Sequence, residues 1–167
     1  MKKGGQAWGI DLMFAGIIFF TGVIIFYLYS INYPAEGQNK IEELFFEGEF
    51  IADALLSEGL PENWNETNFA IPGIVTENKI NETKLALIYN LSNENQNPQG
   101  YERVKSAFST RYDFFFNFSE EITIDSQTIS EGGIGKQISP SPENLIKITR
   151  ITLYKNKPVT LNVFIWE

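Results

Sequence analysis

The chain contains no histidine and no cysteine, and only two methionines. Without cysteine there are no disulfides and no thiolate chemistry. Without histidine the commonest general base and the commonest metal ligand near neutral pH are both missing. Most nucleophile–base pairings are thereby excluded, and the expectation is a protein that is not an enzyme and uses no cofactor or metal. Positive charge is also scarce: 13 Lys and Arg stand against 21 Asp and Glu, for a formal net charge of −8. Binding a phosphate backbone requires clustered Lys and Arg, so a nucleic-acid partner is not expected.

The chain is rich in apolar surface: 43% of its 167 residues are hydrophobic and 14% aromatic. From Leu12 to Ile31 it reads LMFAGIIFFTGVIIFYLYSI, without a charge. A helix of about twenty such residues matches a hydrocarbon core of about 30 Å, and helices in soluble cores rarely stay apolar on every face. Trp8 at one end and Tyr27, Tyr29 and Tyr33 at the other suit the two interfaces. Gly16 and Gly22, six apart, miss the small-xxx-small packing spacing. The roughly 130 residues beyond this stretch suffice for one domain with its own core.

Charge flanks the apolar stretch unevenly. Lys2 and Lys3 precede it, whereas Glu36, Glu42, Glu43, Glu47 and Glu49 follow, with Lys40 between them. The positive-inside bias predicts a single-pass membrane protein with a cytoplasmic N-terminus and an extracytoplasmic remainder at the cell surface. A cleaved secretory signal fits less well, because the run exceeds an ordinary h-region and no A-x-A site follows it.

The leader Lys2-Lys3-Gly4-Gly5-Gln6, opening directly into an apolar helix, resembles the class III signal peptide of archaeal type IV pilins and archaellins. The resemblance implies a prepilin-type peptidase that cuts on the cytoplasmic side, here between Gly5 and Gln6, and leaves the apolar helix on the mature chain. It also implies that Asp11 serves assembly, by neutralising the new α-amino group of a neighbouring like or related pilin subunit. A carboxylate in a low-dielectric setting needs such a partner. Many pilins carry their acid at the fifth mature residue. Asp11 is the sixth after a cut at Gly5 and the seventh after a cut at Gly4, a departure from that pattern. The alternative for Asp11 is a solvated position at the membrane interface.

Beyond the apolar stretch, Pro34 and Gly37 predict a hinge or short loop within Asn32 to Gln38. Apolar residues at Ile41, Leu44, Phe45, Ile51, Ala52 and Leu55, widened by Phe46, Phe50 and Ala54, predict a helix over Asn39 to Ser57. Gly59 and Pro61 supply its stop. A helix with so broad an apolar stripe packs on the following domain; by the resemblance, it also bundles in a filament core. Four sequons follow, at Asn65, Asn81, Asn90 and Asn117, and predict a glycosylated outer surface.

Short helices are expected at Glu82 to Leu91 and Tyr101 to Ser109, with a polar loop from Asn93 to Gly100 between them. Strands are expected at Tyr112 to Phe118, Glu121 to Ile129, Leu145 to Tyr154 and Val159 to Trp166, the last two a hairpin around a turn at Lys155 to Pro158. The expected fold class is α+β, with an antiparallel sheet of about four strands. The expected order is a leader at 1–5, a transmembrane helix at 6–31, a hinge and amphipathic stem helix at 32–59, and an extracytoplasmic α+β domain at 60–167. Helices before a small sheet resemble a pilin head. The order Leu60-Pro61-Glu62-Asn63-Trp64, Ile71-Pro72-Gly73-Ile74, Asn81-Glu82-Thr83-Lys84-Leu85, Tyr112-Asp113-Phe114-Phe115 and Leu145-Ile146-Lys147-Ile148 is similar to small pilin-like membrane proteins of archaea.

Two stretches invite chemistry and fail. Ser130 to Lys136, SEGGIGK, lacks the G-x-x-x-x-G-K-[ST] spacing of a phosphate loop and has no helix after it. Glu120, Glu121 and Asp125 lack the surroundings of an EF-hand and read as surface acids. Two functions remain in view. One is a pilin-like structural subunit of a surface filament or its assembly machinery. The other is a monomeric, signal-anchored domain that binds a protein or glycan partner.

Overall fold

The structure, a computed structural model, describes residues 5–32, 36–93, 95–124, 127–128 and 133–167. The chain separates into two compact units, residues 1–38 and residues 39–167.

The first unit is one helix, α1 (Gly5–Asn32). Its stretch Gly9–Ile31 is long and apolar enough to cross a membrane, and none of it is buried. At 1.5 Å per residue those 23 residues extend about 34 Å. The leader residues Met1 to Gly4, and Tyr33 to Ala35 of the expected hinge, lie outside the described residues.

The second unit is α+β. The helix α2 (Glu36–Leu55) leads into it, with α2 ending before Gly59, whose positive φ of 80° and contact with the Trp64 ring require glycine. Next come β1 (Val75–Thr76) and β2 (Lys79–Ile80), joined by Glu77 and Asn78 at positive φ. Two helices follow, α3 (Glu82–Ser92) and α4 (Pro98–Ala107). Asn81 and Asn97 cap them by accepting from Lys84 N and Gly100 N, and Pro98 occupies the first turn of α4, where its missing N–H costs nothing. The strands β3 (Asp113–Phe118), β4 (Thr123–Ile124), β5 (Gln127–Thr128), β6 (Ile134–Gly135), β7 (Leu145–Tyr154) and β8 (Lys157–Trp166) complete the unit.

Six strands form one mixed sheet in the order β1-β2-β7-β8-β3-β6. Its body is the antiparallel trio β7, β8 and β3, in register from Leu145↔Trp166 to Tyr154↔Lys157 and from Asp113↔Trp166 to Phe118↔Leu161. This corrects the expected four-stranded antiparallel sheet in three ways. The β1–β2 hairpin adds to β7 through a parallel contact, Lys79↔Leu153. The Gly-rich stretch, for which no strand is expected, supplies the edge strand β6. The expected strand over Glu121 to Ile129 does not join the sheet: β4 and β5 pair only with each other. The alternation of Ile122 and Ile124 is real, and both side chains enter the core, but Thr123 and Ile124 pair with Thr128 and Gln127 rather than with the sheet. The β7–β8 turn is also tighter than expected. Lys155 and Asn156, both at positive φ, form it, while Lys157 and Pro158 already belong to β8.

One face of the sheet is buried. Phe114, Phe116, Ile148, Val159, Leu161, Val163 and Ile165 share a core with Leu44, Ile51 and Leu55 of α2, Leu85 and Ile88 of α3, and Tyr101 and Val104 of α4. The approach of α2 is close at Gly48, where a Cβ would stand 3.0 Å from Ile148 Cγ1 and 3.1 Å from Ile165 Cγ2. The Tyr101 ring stacks on Phe114 at 5.1 Å, and Phe108 meets Phe114 edge-on at 5.5 Å.

Candidate assembly surface and modification sites

The processing and assembly residues named above fall on the start of α1. Gly5 and Gln6 lie in its first turn. Asp11 is exposed, between Ile10 and Leu12, which are exposed as well. It is the only acid of Gly9–Ile31, and among the described residues it has no ion-pair partner.

The helix α2 presents two different sides. One carries Leu44, Gly48, Ile51, Ala52 and Leu55, all buried. The other leaves Phe46 68% exposed and Phe50 46% exposed, while Ile41 and Phe45 on its flank are also exposed. Half of the apolar stripe expected to pack on the domain therefore faces outward. The reason is geometric: at 100° per residue, residues 41–55 carry apolar side chains around most of the circumference, and one sheet covers only one side.

The acids of α2 hold it in place. Arg111 donates to both carboxylate oxygens of Glu43 at 2.7 and 2.8 Å. The Thr110 hydroxyl donates to Glu47. Arg150 of β7 reaches Glu49 at 2.9 Å and Asp53 at 3.2 Å. Lys40 pairs with Glu167 at the end of the chain. These partners lie 63 to 101 residues away for the first three acids, so no local spacing announces them. Glu42 is left on the outward side, next to Phe46.

The four sequons differ in what their amides already do. Asn65 is exposed in a loop that other contacts hold firmly. Trp64 donates its indole N–H to Gly73 O at 2.8 Å, and Arg103 stacks 5.0 Å over Phe69 while donating to Glu66 O at 3.0 Å. Asn65 Oδ1 accepts from the Thr67 N–H at 2.9 Å and from the Thr67 hydroxyl at 2.8 Å, and its Nδ2 has no partner among the described residues. Asn81 is fully employed: its Oδ1 caps α3 and its Nδ2 donates to Thr76 Oγ1 at 3.2 Å. Asn90 is exposed on α3. Asn117 sits on β3 on the open side of the sheet, half-buried, and accepts from Asn162 Nδ2 at 3.2 Å.

The two stretches weighed for chemistry are only partly described. Lys136 of the Gly-rich stretch binds Asp113 Oδ2 at 2.8 Å, and Ser130 to Gly132 lie outside the described residues. Glu120 and Glu121 are exposed at the rim of a cleft of about 300 Å³ with Tyr154, Lys155 and Lys157. Asp125 lies outside the described residues, and among the described residues no cluster of acids is arranged to hold a metal ion. A larger open cleft of about 410 Å³, lined by Phe69, Glu102, Arg103 and Ser106, lies beside the Asn65 loop, and its arginine is occupied by that loop.

The chain was compared with protein-family models, with curated proteins and with solved structures, and none of them matches.

Proposed function

We propose that this chain is a pilin-like structural subunit of a surface filament or its assembly machinery. Its apolar helix α1 anchors it in the membrane with the N-terminus on the cytoplasmic side, and residues 39–167 stand outside. A prepilin-type peptidase removes Met1 to Gly5, and the mature chain begins at Gln6. Asp11 then pairs with the α-amino group of an adjacent subunit within the helix bundle, where an unpaired carboxylate is costly.

The observation that carries this reading is the character of the first two helices. The unburied helix α1, apolar on every side, follows a basic leader directly, and the next helix, α2, buries one side in its own domain while offering Phe46 and Phe50 to something else. A monomeric anchored domain would have to turn that outward side to a separate protein partner, whereas a subunit offers it to its neighbours. A surface apolar patch of this kind marks contact with another molecule.

Intact mass and N-terminal peptide mapping of the protein from its native membranes test the proposal. The expected product starts at Gln6 and retains α1, and a bulky substitution at Gly5 leaves the precursor uncut. A mature chain that still carries Met1 or Lys2 overturns the proposal. It would leave the monomeric, signal-anchored domain with a protein or glycan partner.

A further inference from the structure

We propose that residues 39–167 associate head to tail, the outward side of α2 in one copy docking on the open face of the β7–β8 hairpin in the next. The inference rests on the subunit reading above and names a second copy of this chain as the occupant of both faces.

The two faces lie on opposite sides of the sheet. Gly48 of α2 rests on Ile148 and Ile165, which belong to the buried face. Phe46 and Phe50 lie two residues to either side of Gly48, so the 100° period turns them away from the sheet. Along β7 the alternation sends Leu145, Lys147, Thr149, Ile151 and Leu153 to the opposite, open face. Ile151 is 75% exposed, and Leu145 and Leu153 are exposed as well. Neither apolar surface can reach the other within one copy, but each can meet its counterpart on another.

Charge decides the pairing. Glu43, Glu47, Glu49 and Asp53 of α2 are engaged within the copy, as are Arg150, with Glu49 and Asp53, and Lys155, with Glu82; Glu42 of α2 and Lys147 of β7 are left facing outward. On the outward side of α2, Glu42, Phe46 and Phe50 form an i, i+4, i+8 ridge. On the open face, Lys147 lies across the Phe164 ring at 5.5 Å, and Lys79 is the register partner of Leu153. An acidic apolar ridge thus has a basic apolar face as its complement. Two copies of α2 set face to face would leave Glu42 of each without a base to meet, whereas the open face offers Lys147 and Lys79, which favours the unlike pairing. A contact between different faces does not close on itself, so each copy keeps one free face and the chain of copies continues.

Cross-linking in native membranes tests the inference, helped by the absence of cysteine in the chain. Cysteines at Phe46 and Ile151 replace side chains exposed by 68% and 75%, so the fold should tolerate them. With a short bis-maleimide, the full-length double variant Phe46→Cys/Ile151→Cys is expected to give a ladder of dimers, trimers and larger species. Each single variant alone stays monomeric, and the two singles expressed together stop at the dimer. Reversing one charge, Glu42→Lys or Lys147→Glu, should abolish the ladder, and combining both should restore it. A dimer from Phe46→Cys alone overturns the inference in favour of symmetric helix pairing. A double variant that does not cross-link overturns it too. If that variant still sediments as large assemblies, the subunit reading stands and only the docking falls; if it sediments as a monomer, both fall.

Discussion

Asp113 gathers three donors, two from α4 and one from the segment after β6. Lys105 of α4 and Lys136 after β6 reach its two oxygens at 2.8 Å each, and the Tyr101 hydroxyl adds a bond at 3.2 Å while accepting from Phe114 N. Burial pushes the Asp113 carboxyl up, but the two ammonium groups outweigh it and hold the carboxyl below the usual carboxylate range. The Tyr101 phenol, by contrast, is pushed up by burial and remains a donor. A depressed folded-state pKa contributes stability that is complete above the unfolded value of about 3.9 and is lost as pH falls through the folded value. Stability measured against pH should therefore drop below about pH 4, and Asp113→Asn should flatten that drop while lowering stability at pH 7. Nothing in the sequence marks this residue. Its lysines stand 8 and 23 positions away, and Asp113 itself reads as a polar residue near the start of an aromatic strand.

At the scale of elements, what was legible followed from burial on one side. The β7–β8 hairpin was readable because β8 alternates Val159, Leu161, Val163 and Ile165 into the core. The helix α4 is readable only from Tyr101 onward; its true start, Asn97 and Pro98, carries a cap-and-proline signal inside the expected polar loop. The strands β1, β2 and β6, two residues each, are too short to show any period and exist because longer neighbours offer them an edge. Caps also sort the sequons. A glycan on Asn81 would have to displace the bonds that its amide makes, so glycopeptide mass spectrometry should find sugar at Asn65 and none at Asn81. Asn81→Ala should cost about 1 kcal/mol through the lost cap, and Asn81→Asp, which keeps an acceptor, should restore most of it. The seat of α2 makes a second demand: Gly48→Val should destabilise by about 1–3 kcal/mol through overpacking, read as a lower denaturation midpoint with the m-value unchanged.

At the scale of the whole molecule, the sequence revealed an apolar helix followed by an α+β unit, because both rest on composition and period over many residues. It hid how α2 is used. Five acids on one helix look like a solvated surface, yet Glu43, Glu47, Glu49 and Asp53 find partners that only the folded chain brings near. Those partners also fix the direction in which α2 lies. Lys40 meets Glu167, Gly48 meets Ile148 and Ile165, and Asp53 meets Arg150, so the helix runs lengthwise with β7 and against β8. A load entering at Asn39 and opposed at the hairpin turn acts along that axis. It shears the ion pairs and the Gly48 seat together. A load opposed at Glu167 instead meets the Lys40 pair first and peels the contacts in sequence. Forced unfolding follows the barrier for the direction pulled. Single-molecule pulling between Asn39 and Asn156 should therefore require more force than pulling between Asn39 and Glu167.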